Sequence, residues 1–330
     1  MKAWTIKAPG GLDQLVMVDR PIPVPTEDEV LIKVEATAVN RLDIITRENK
    51  ALEKPYPVLG VEVSGFVVKD SPNYPELKIG TRVAGLTNQN AYAEYAVMHA
   101  GHAMRIPDSM SFIEAAAIPE TFLTAYQTMF WLGELKPLET ILIHAAGSGV
   151  GTAAIQLASR KITDAHIIAT AGSDHKLKMA KALGAKHVIN YRKEDFAEKV
   201  LEYTDGKGAD VVLDFVGASY YDKNVKATAI DGRWISIGTL GGAEVPEFSF
   251  RDLMQKRISL KGTLLTPRSD AYKEKLSQEF AHRIMPFFDE DIIQPIIHSV
   301  LSFEDLPEAH RQMEADENTG KIVIDVGDSE

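Results

Sequence analysis

In the segment Glu29-Val-Leu-Ile-Lys-Val-Glu-Ala36, the apolar Val30, Ile32, Val34 and Ala36 share one face while Lys33 and Glu35 fall on the other. That alternation is the signature of a half-buried strand. Val61 to Lys69 and Thr81 to Leu86 repeat it, separated by the turn-rich stretches Asp70-Ser-Pro-Asn-Tyr-Pro75 and Lys78-Ile-Gly80. Short strands joined by Gly/Pro turns predict a compact, partly closed β domain in the first third of the chain.

The pattern changes after about Pro119. Thr140-Ile-Leu-Ile-His144 is a short apolar run, followed by the Gly-rich turn Gly147-Ser-Gly-Val-Gly151. That turn opens a helix in which Val150, Ala153, Ala154, Leu157 and Ala158 recur at helical spacing. Alternation then continues: strand Ala165 to Thr170, helix Lys176 to Leu183 stopped by Gly184, strand His187 to Ile189, helix Phe196 to Tyr203, strand Ala209 to Phe215, a helix running to Ala229, and strand Arg233 to Ile237. Repeated β-α-β with near-continuous apolar strands predicts an α/β fold with a parallel, doubly wound sheet. An amphipathic helix from Ala271 to Phe288 and a last strand from Gly320 to Val326 complete the pattern.

Composition narrows the class. With 330 residues, a prior of about 150 residues per domain suggests two domains. The 36 Lys+Arg against 47 Asp+Glu give a net charge of −11, and the mean hydropathy is −0.11. This acidity argues against nucleic acid or an anionic membrane surface as partner. Zero cysteines remove disulfides, thiolate nucleophiles, iron–sulfur clusters and every zinc site that needs a thiolate. Met1 to Val18 has no apolar run of signal-peptide length, and no window reaches roughly 18 apolar residues. A cytoplasmic protein without a membrane span is the expectation.

The strand, Gly-turn and helix at 140 to 158 are where a dinucleotide would sit, with its pyrophosphate on the helix N-terminus. In Ala146-Gly-Ser-Gly-Val-Gly151 the three glycine positions of the usual fingerprint carry Ala146, Ser148 and Gly151, with Gly149 and Val150 between them. The acid that normally holds an NAD ribose about 20 residues on is replaced by Ala171 in Thr170-Ala-Gly-Ser-Asp-His-Lys176. Ala171 and Gly172 leave room for a 2′-phosphate, Ser173 can donate to it and Lys176 can supply charge, which favours NADPH over NADH. Asp174 keeps NADH possible. Ser173 reads equally as a helix cap, and Lys176 as a solvated helix residue. His144, at the end of the first strand of this unit, reads as a buried, satisfied histidine rather than a proton donor.

At Ala38-Val-Asn-Arg-Leu-Asp43, Leu59-Gly-Val-Glu-Val-Ser-Gly65, Ala115-Ala-Ala-Ile-Pro119, Thr124-Ala-Tyr126, Ile143 to Ala158, Lys181-Ala-Leu-Gly-Ala185 and Gly320-Lys-Ile-Val323, the chain resembles the medium-chain dehydrogenase/reductases. Within them it is similar to the zinc-independent quinone oxidoreductases that include zeta-crystallin. The resemblance runs in the family's order over nearly the whole chain. It implies a GroES-like catalytic domain from 1–121 and 267–330 around an inserted Rossmann domain, 122–266, with substrate in the cleft between them. It also implies a homodimer. The positions that hold catalytic metal in the family's zinc branch carry Asn40, Val61 and Glu120, a set that cannot make a tetrahedral zinc site.

Without a Lewis acid, acceptors are limited to those that spread negative charge by conjugation, namely quinones and α,β-unsaturated carbonyls. The resemblance places Asn40 and Asp43 at the nicotinamide and substrate floor, although both fit an Asx turn equally well. Tyr56 could donate to a carbonyl oxygen, or be a surface aromatic between two prolines. Tyr191 matches a family tyrosine beside the 2′-phosphate, or packs in the core. Gly217, Gly238 and Thr239 fall at the carboxyl ends of later strands, where open α/β sheets bind ligands. Leu264 and Leu265 would wall the nicotinamide pocket. Segment 40 to 52 departs from the family in its charged Arg47-Glu-Asn-Lys50. Two other readings stay open: an enoyl-thioester reductase, for which Arg47, Lys50 and Lys54 are the hint unless they form a solvated loop, and a non-catalytic NADPH-binding sensor or structural protein.

Overall fold

The structure, a computed structural model, describes residues 1–327. The chain divides into two compact units, residues 1–123 with the chain from 266 onward, and residues 124–265.

The first unit is built on strand Glu29–Val39, which pairs antiparallel with Glu62–Lys69 along one edge. Its other edge is shared: Tyr95–His99 pairs with residues 29–33, and Lys321–Asp325 with residues 36–39. Arg82–Leu86 and Met104–Arg105 extend the sheet on one side, and Ile297–Ser302 joins Lys321–Asp325 on the other. Apart from the buried Leu31, the alternation seen in the sequence holds as far as Glu35. From Ala36 to Val39 both faces are buried, because Ala36 and Ala38 pack against Ala116, Ala117 and Val323. Small side chains let helix Phe112–Ala116 lie close on the strand. A second core gathers Trp4, Leu59, Tyr92, Leu306 and Ile322. Phe122 stacks edge-on against Phe288 of the long helix Asp270–Asp289, ring centroids 5.0 Å apart. Each such fully buried aromatic contributes roughly 1.5–3 kcal/mol.

Residues 124–265 carry a six-stranded parallel sheet. Its order is His187–Asn190, His166–Ala171, Thr140–Ile143, Ala209–Asp214, Thr228–Ser236, Ser259–Gly262. Numbered within this unit, that is 3-2-1-4-5-6, the Rossmann order, with the switch point between Thr140–Ile143 and Ala209–Asp214. Both central strands are buried throughout, as a sheet covered by helices on its two faces requires.

Three elements differ from expectation. The helix expected to reach Ala229 ends at Ala227, and strand begins at Thr228. Edge strand Ser259–Gly262 has no apolar run to announce it, because three of its four residues are exposed. Residues 41–48 are a helix, where an Asx turn at Asn40 and Asp43 is the expectation.

Gly320 sets the register of the last strand. Its φ is +82°, and a Cβ there would meet the Ile296 carbonyl oxygen at 2.1 Å. The Lys321 N–H donates to that same oxygen at 2.8 Å. Gly320→Ala therefore combines an unfavourable backbone region, about 1–3 kcal/mol, with a displaced strand. Urea denaturation should show at least that loss of stability.

Candidate functional site

Two polar centres stand out, one in each unit. In residues 124–265, the chain leaves strand Thr140–Ile143 through Ala145, which has φ +49°. Ser148 is the N-cap of helix Gly149–Lys161, and its Oγ accepts from the Gly151 N–H at 3.0 Å. The Gly149 and Val150 N–H groups head the helix without an intrahelical acceptor, the donor pair an anion needs. A Cβ at Gly151 would lie 2.4 Å from the Ala145 carbonyl oxygen, so only glycine permits this tight entry. Ala146 is buried, and its N–H donates to Thr170 on the next strand.

One set of side chains gathers around two glycines. The aliphatic stem of Lys176 crosses Gly147, its Cδ 2.6 Å from where a Cβ would stand. The Tyr191 hydroxyl and the Arg192 Nε lie 2.6 and 3.0 Å from the corresponding point on Gly172. Ser173 caps helix Asp174–Leu183, accepting from the Lys176 N–H at 3.4 Å, which leaves its hydroxyl proton available. Tyr191 is 39% exposed, so it is not a core residue. Asp174 is paired: Lys193 and Asn190 donate to it at 2.9–3.0 Å and hold its carboxyl below the usual range. Arg192 escaped the sequence reading. Its place beside Gly172 follows from the turn that leaves strand His187–Asn190.

Gly217 has φ +80°, and a Cβ there would meet the Gly242 carbonyl oxygen and the Thr239 Cα. Gly238 lies equally close to the Phe215 carbonyl. The buried Asp214, unnoticed in the sequence, organises this loop: its carboxylate accepts from the N–H groups of Val216 and Gly217 and from the Trp234 indole. Leu264 is largely exposed, whereas Leu265 is buried. His144 is buried between Thr170 Oγ1 at 2.9 Å and Asn224 Oδ1 at 2.8 Å. Burial lowers its pKa, so it stays neutral.

The second centre lies in the first unit. Asn40 is the N-cap of helix Arg41–Glu48, and its N–H donates to the Asp43 carboxylate at 2.8 Å. The Asn40 amide instead reaches across the sheet. Its Nδ2 donates to Glu62 Oε1 at 2.7 Å and its Oδ1 accepts from Lys321 Nζ at 2.7 Å. Lys321 also donates to Glu62 Oε1 at 2.7 Å and to the Val39 carbonyl at 2.9 Å. Glu62 Oε2 accepts the Glu120 N–H at 2.8 Å, and the buried Tyr92 hydroxyl donates to Asp43 at 2.7 Å.

Burial raises the Asp43 carboxyl to about 6 against the pull of Tyr92 and the Asn40 N–H. It raises Glu120 to about 8, with Glu62 adding to the effect. Asp43 lines a cavity of about 60 Å³ with Thr46, Gly60, Val61, Asn88 and Thr266. Tyr56 is not brought to it. That residue lines a separate open groove of about 540 Å³ with Thr5, Lys7, Arg20 and Lys54.

In the charged 47–54 stretch Lys50 and Lys54 are exposed, as a solvated loop requires, but Arg47 is not. Arg47 is fully buried, not solvated: it bonds to Glu314, Glu48, the Gly10 carbonyl and the His310 ring.

Comparison with known proteins matches residues 26–108 to the alcohol dehydrogenase GroES-like domain and residues 149–282 to the zinc-binding dehydrogenase domain. Human quinone oxidoreductase is 30% identical over 98% of this chain and 97% of its own length. The chain belongs to the zinc-independent quinone oxidoreductase branch of the medium-chain dehydrogenase/reductase family. It is an oxidoreductase of that family. Highly-reducing polyketide synthase 1 of Aureobasidium melanogenum is 33% identical over 96% of the chain, which spans only 14% of that protein. Among solved structures, Escherichia coli quinone oxidoreductase complexed with NADPH superposes with a TM-score of 0.90 at 27% identity, covering 99% and 100% of the two chains. An NAD-dependent alcohol dehydrogenase does so with 0.87 at 34%, covering 99% and 100%.

The residues do not fit the metal of the family's zinc branch. Val61 offers no donor, and the Asn40 amide is spent on Glu62 and Lys321. The Lys321 ammonium itself sits among three oxygens, those of Glu62, Asn40 and Val39. Among the described residues no group of three or more His, Cys, Asp or Glu could hold an ion.

Removing one partner of this buried ion pair strands the other charge. Lys321→Met should cost about 3–5 kcal/mol in urea denaturation, and adding Glu62→Leu should recover part of it.

Proposed function

We propose that this oxidoreductase uses NADPH to reduce quinones or α,β-unsaturated carbonyls without a metal ion. What carries the cofactor half is the cationic, carboxylate-poor edge around Gly172. Lys176 and Arg192 flank it, Tyr191 and Ser173 offer hydroxyls, and Asp174 is paired with Lys193. A 2′-phosphate gains charge-assisted hydrogen bonds there, whereas a free 2′-OH finds no carboxylate to donate to. The Gly149 and Val150 N–H groups would take the pyrophosphate. Bound NADPH supplies hydride. The protein's part is to hold the acceptor in line and to hydrogen-bond its oxygen.

The substrate half follows from the polar cluster. With an ammonium where a Lewis acid would stand, polarisation of the acceptor is modest, so the developing charge must be delocalised within the acceptor itself. Quinones and enones do this.

The enoyl-thioester reading is supported by the polyketide synthase relative and by the likeness to a solved enoyl reductase, JamJ. Of its basic residues, Arg47 is in the core, whereas Lys50 and Lys54 are exposed. We also read the chain as a homodimer: edge strand Ser259–Gly262 has one unpaired side, and Phe250, Met254 and Leu260 nearby are exposed.

NADPH oxidation with 1,2- and 1,4-quinones, small enones and crotonyl thioesters separates these readings. Turnover on quinones or enones is expected. Preference for the thioester would favour the second reading, and stoichiometric NADPH binding without turnover on any acceptor would favour a binding protein. For the cofactor, Ser173→Ala, Lys176→Ala and Arg192→Ala combined should weaken NADPH by about 10–100-fold in fluorescence titration. NADH should change far less, and equal losses would refute the 2′-phosphate assignment.

A further inference from the structure

Three carboxyls converge on Lys321, and two of them are fully provided for. Glu62 accepts from Lys321, Asn40 and the Glu120 N–H. Asp43 accepts from the Asn40 N–H and the Tyr92 hydroxyl. The Glu120 carboxyl makes no hydrogen bond or ion pair with any described residue, although its backbone N–H anchors it to Glu62. It is only half-buried, so one side is open.

Its surroundings disfavour a second negative charge. Glu62 on strand Glu62–Lys69 and Asp43 on helix Arg41–Glu48 repel it. Lys321 on the last strand and Lys273 on helix Asp270–Asp289 attract it. Both lysines are committed elsewhere, Lys321 to Glu62 and Lys273 to Asn88 and the Thr266 carbonyl. Burial outweighs their pull and takes the Glu120 carboxyl up to about 8. The surroundings thus favour the neutral acid, and its O–H has no acceptor among the described residues.

We propose that Glu120 is the general acid of the reaction, giving the proton that the acceptor's oxygen takes up when hydride arrives. The inference rests on the reductase reading above. For an enone, hydride adds to the β-carbon and the C=C pair moves to form the enol C=C, while the carbonyl pair settles on oxygen. The O–H bond to that oxygen forms as the Glu120 O–H breaks. The enol then tautomerises in water, and the Glu120 carboxylate recovers its proton from water. A neutral acid thereby supplies the polarisation that a metal ion supplies in zinc-dependent relatives.

The test is the pH dependence of kcat, from pH 6 to 10, for the wild-type protein, Glu120→Gln and Glu120→Asp, saturated with NADPH, on an acceptor the wild type reduces. Wild-type kcat should fall above an apparent pKa near 8, because the group must be protonated. Glu120→Gln should lose about 100-fold at pH 7 and lack that alkaline fall. Glu120→Asp should retain the fall with intermediate activity, and NADPH binding should be unchanged in both. Retention of wild-type kcat and of the alkaline fall in Glu120→Gln overturns the proposal while leaving the reductase reading intact. Absence of wild-type turnover on every acceptor overturns both. Where the variants do not fold, infrared difference spectra of the wild type decide. A protonated-carboxyl band must disappear between pH 7 and 9, and its absence at pH 7 overturns the proposal.

Discussion

The buried pair of Glu62 and Lys321 governs the first unit. Removing both charges from water is costly, and that cost is offset only because every oxygen and proton of the pair finds a partner. Lys321 is held by Glu62, Asn40 and the Val39 carbonyl, and Glu62 by Lys321, Asn40 and the Glu120 N–H. The pair thereby fixes four segments: the end of strand Glu29–Val39, the start of strand Glu62–Lys69, the start of helix Pro119–Tyr126 and the last strand. Asn40 is oriented by two charges rather than by its own turn, so its side chain holds one rotamer across the sheet.

The same pair sets the electrostatics of its neighbours. Lys321, matched to Glu62, pulls on Asp43 and Glu120 too weakly to offset their burial. Both carboxyls therefore rise, to about 6 and about 8. Two acids a few residues apart in space thus take different states at neutral pH, the usual way in which a site separates a base from an acid. Here the separation comes from hydrogen bonding: Asp43 receives two donors and Glu120 none.

The β-α-β alternation from 140 to 237 was legible because strands buried on both faces read as plain apolar runs, and the Gly-turn sat where the first of them ends. The short edge strand Ser259–Gly262 was illegible for the opposite reason, since a strand facing solvent has no pattern to show. Helix Arg41–Glu48 was missed because its polar residues look solvated, and nothing local reveals that Arg47 meets Glu314 and His310 more than 250 residues away. At the sites, Ser173 and Lys176 could be named from the turn that follows the second Rossmann strand, and Tyr191 from the family resemblance. Arg192 could not, because its neighbour Gly172 lies on a different strand connection. Lys321 sat within a recognisable Gly-Lys-Ile-Val motif, yet only pairing of the last strand with residues 36–39 brings it to Asn40.

That pairing has a consequence for the order in which the protein is made. The 124–265 unit is continuous in sequence, with all six strands and the dinucleotide turn in one stretch. Lys321 is separated from its partner Asn40 by 281 positions. As the chain leaves the ribosome, the Rossmann sheet has every residue it needs while the first unit still lacks two strands, the second of which carries Lys321. Glu62 and Asn40 wait without their counter-ion until that strand emerges. The acid cluster therefore acquires its cation only after the whole sequence of the dinucleotide unit has been synthesised.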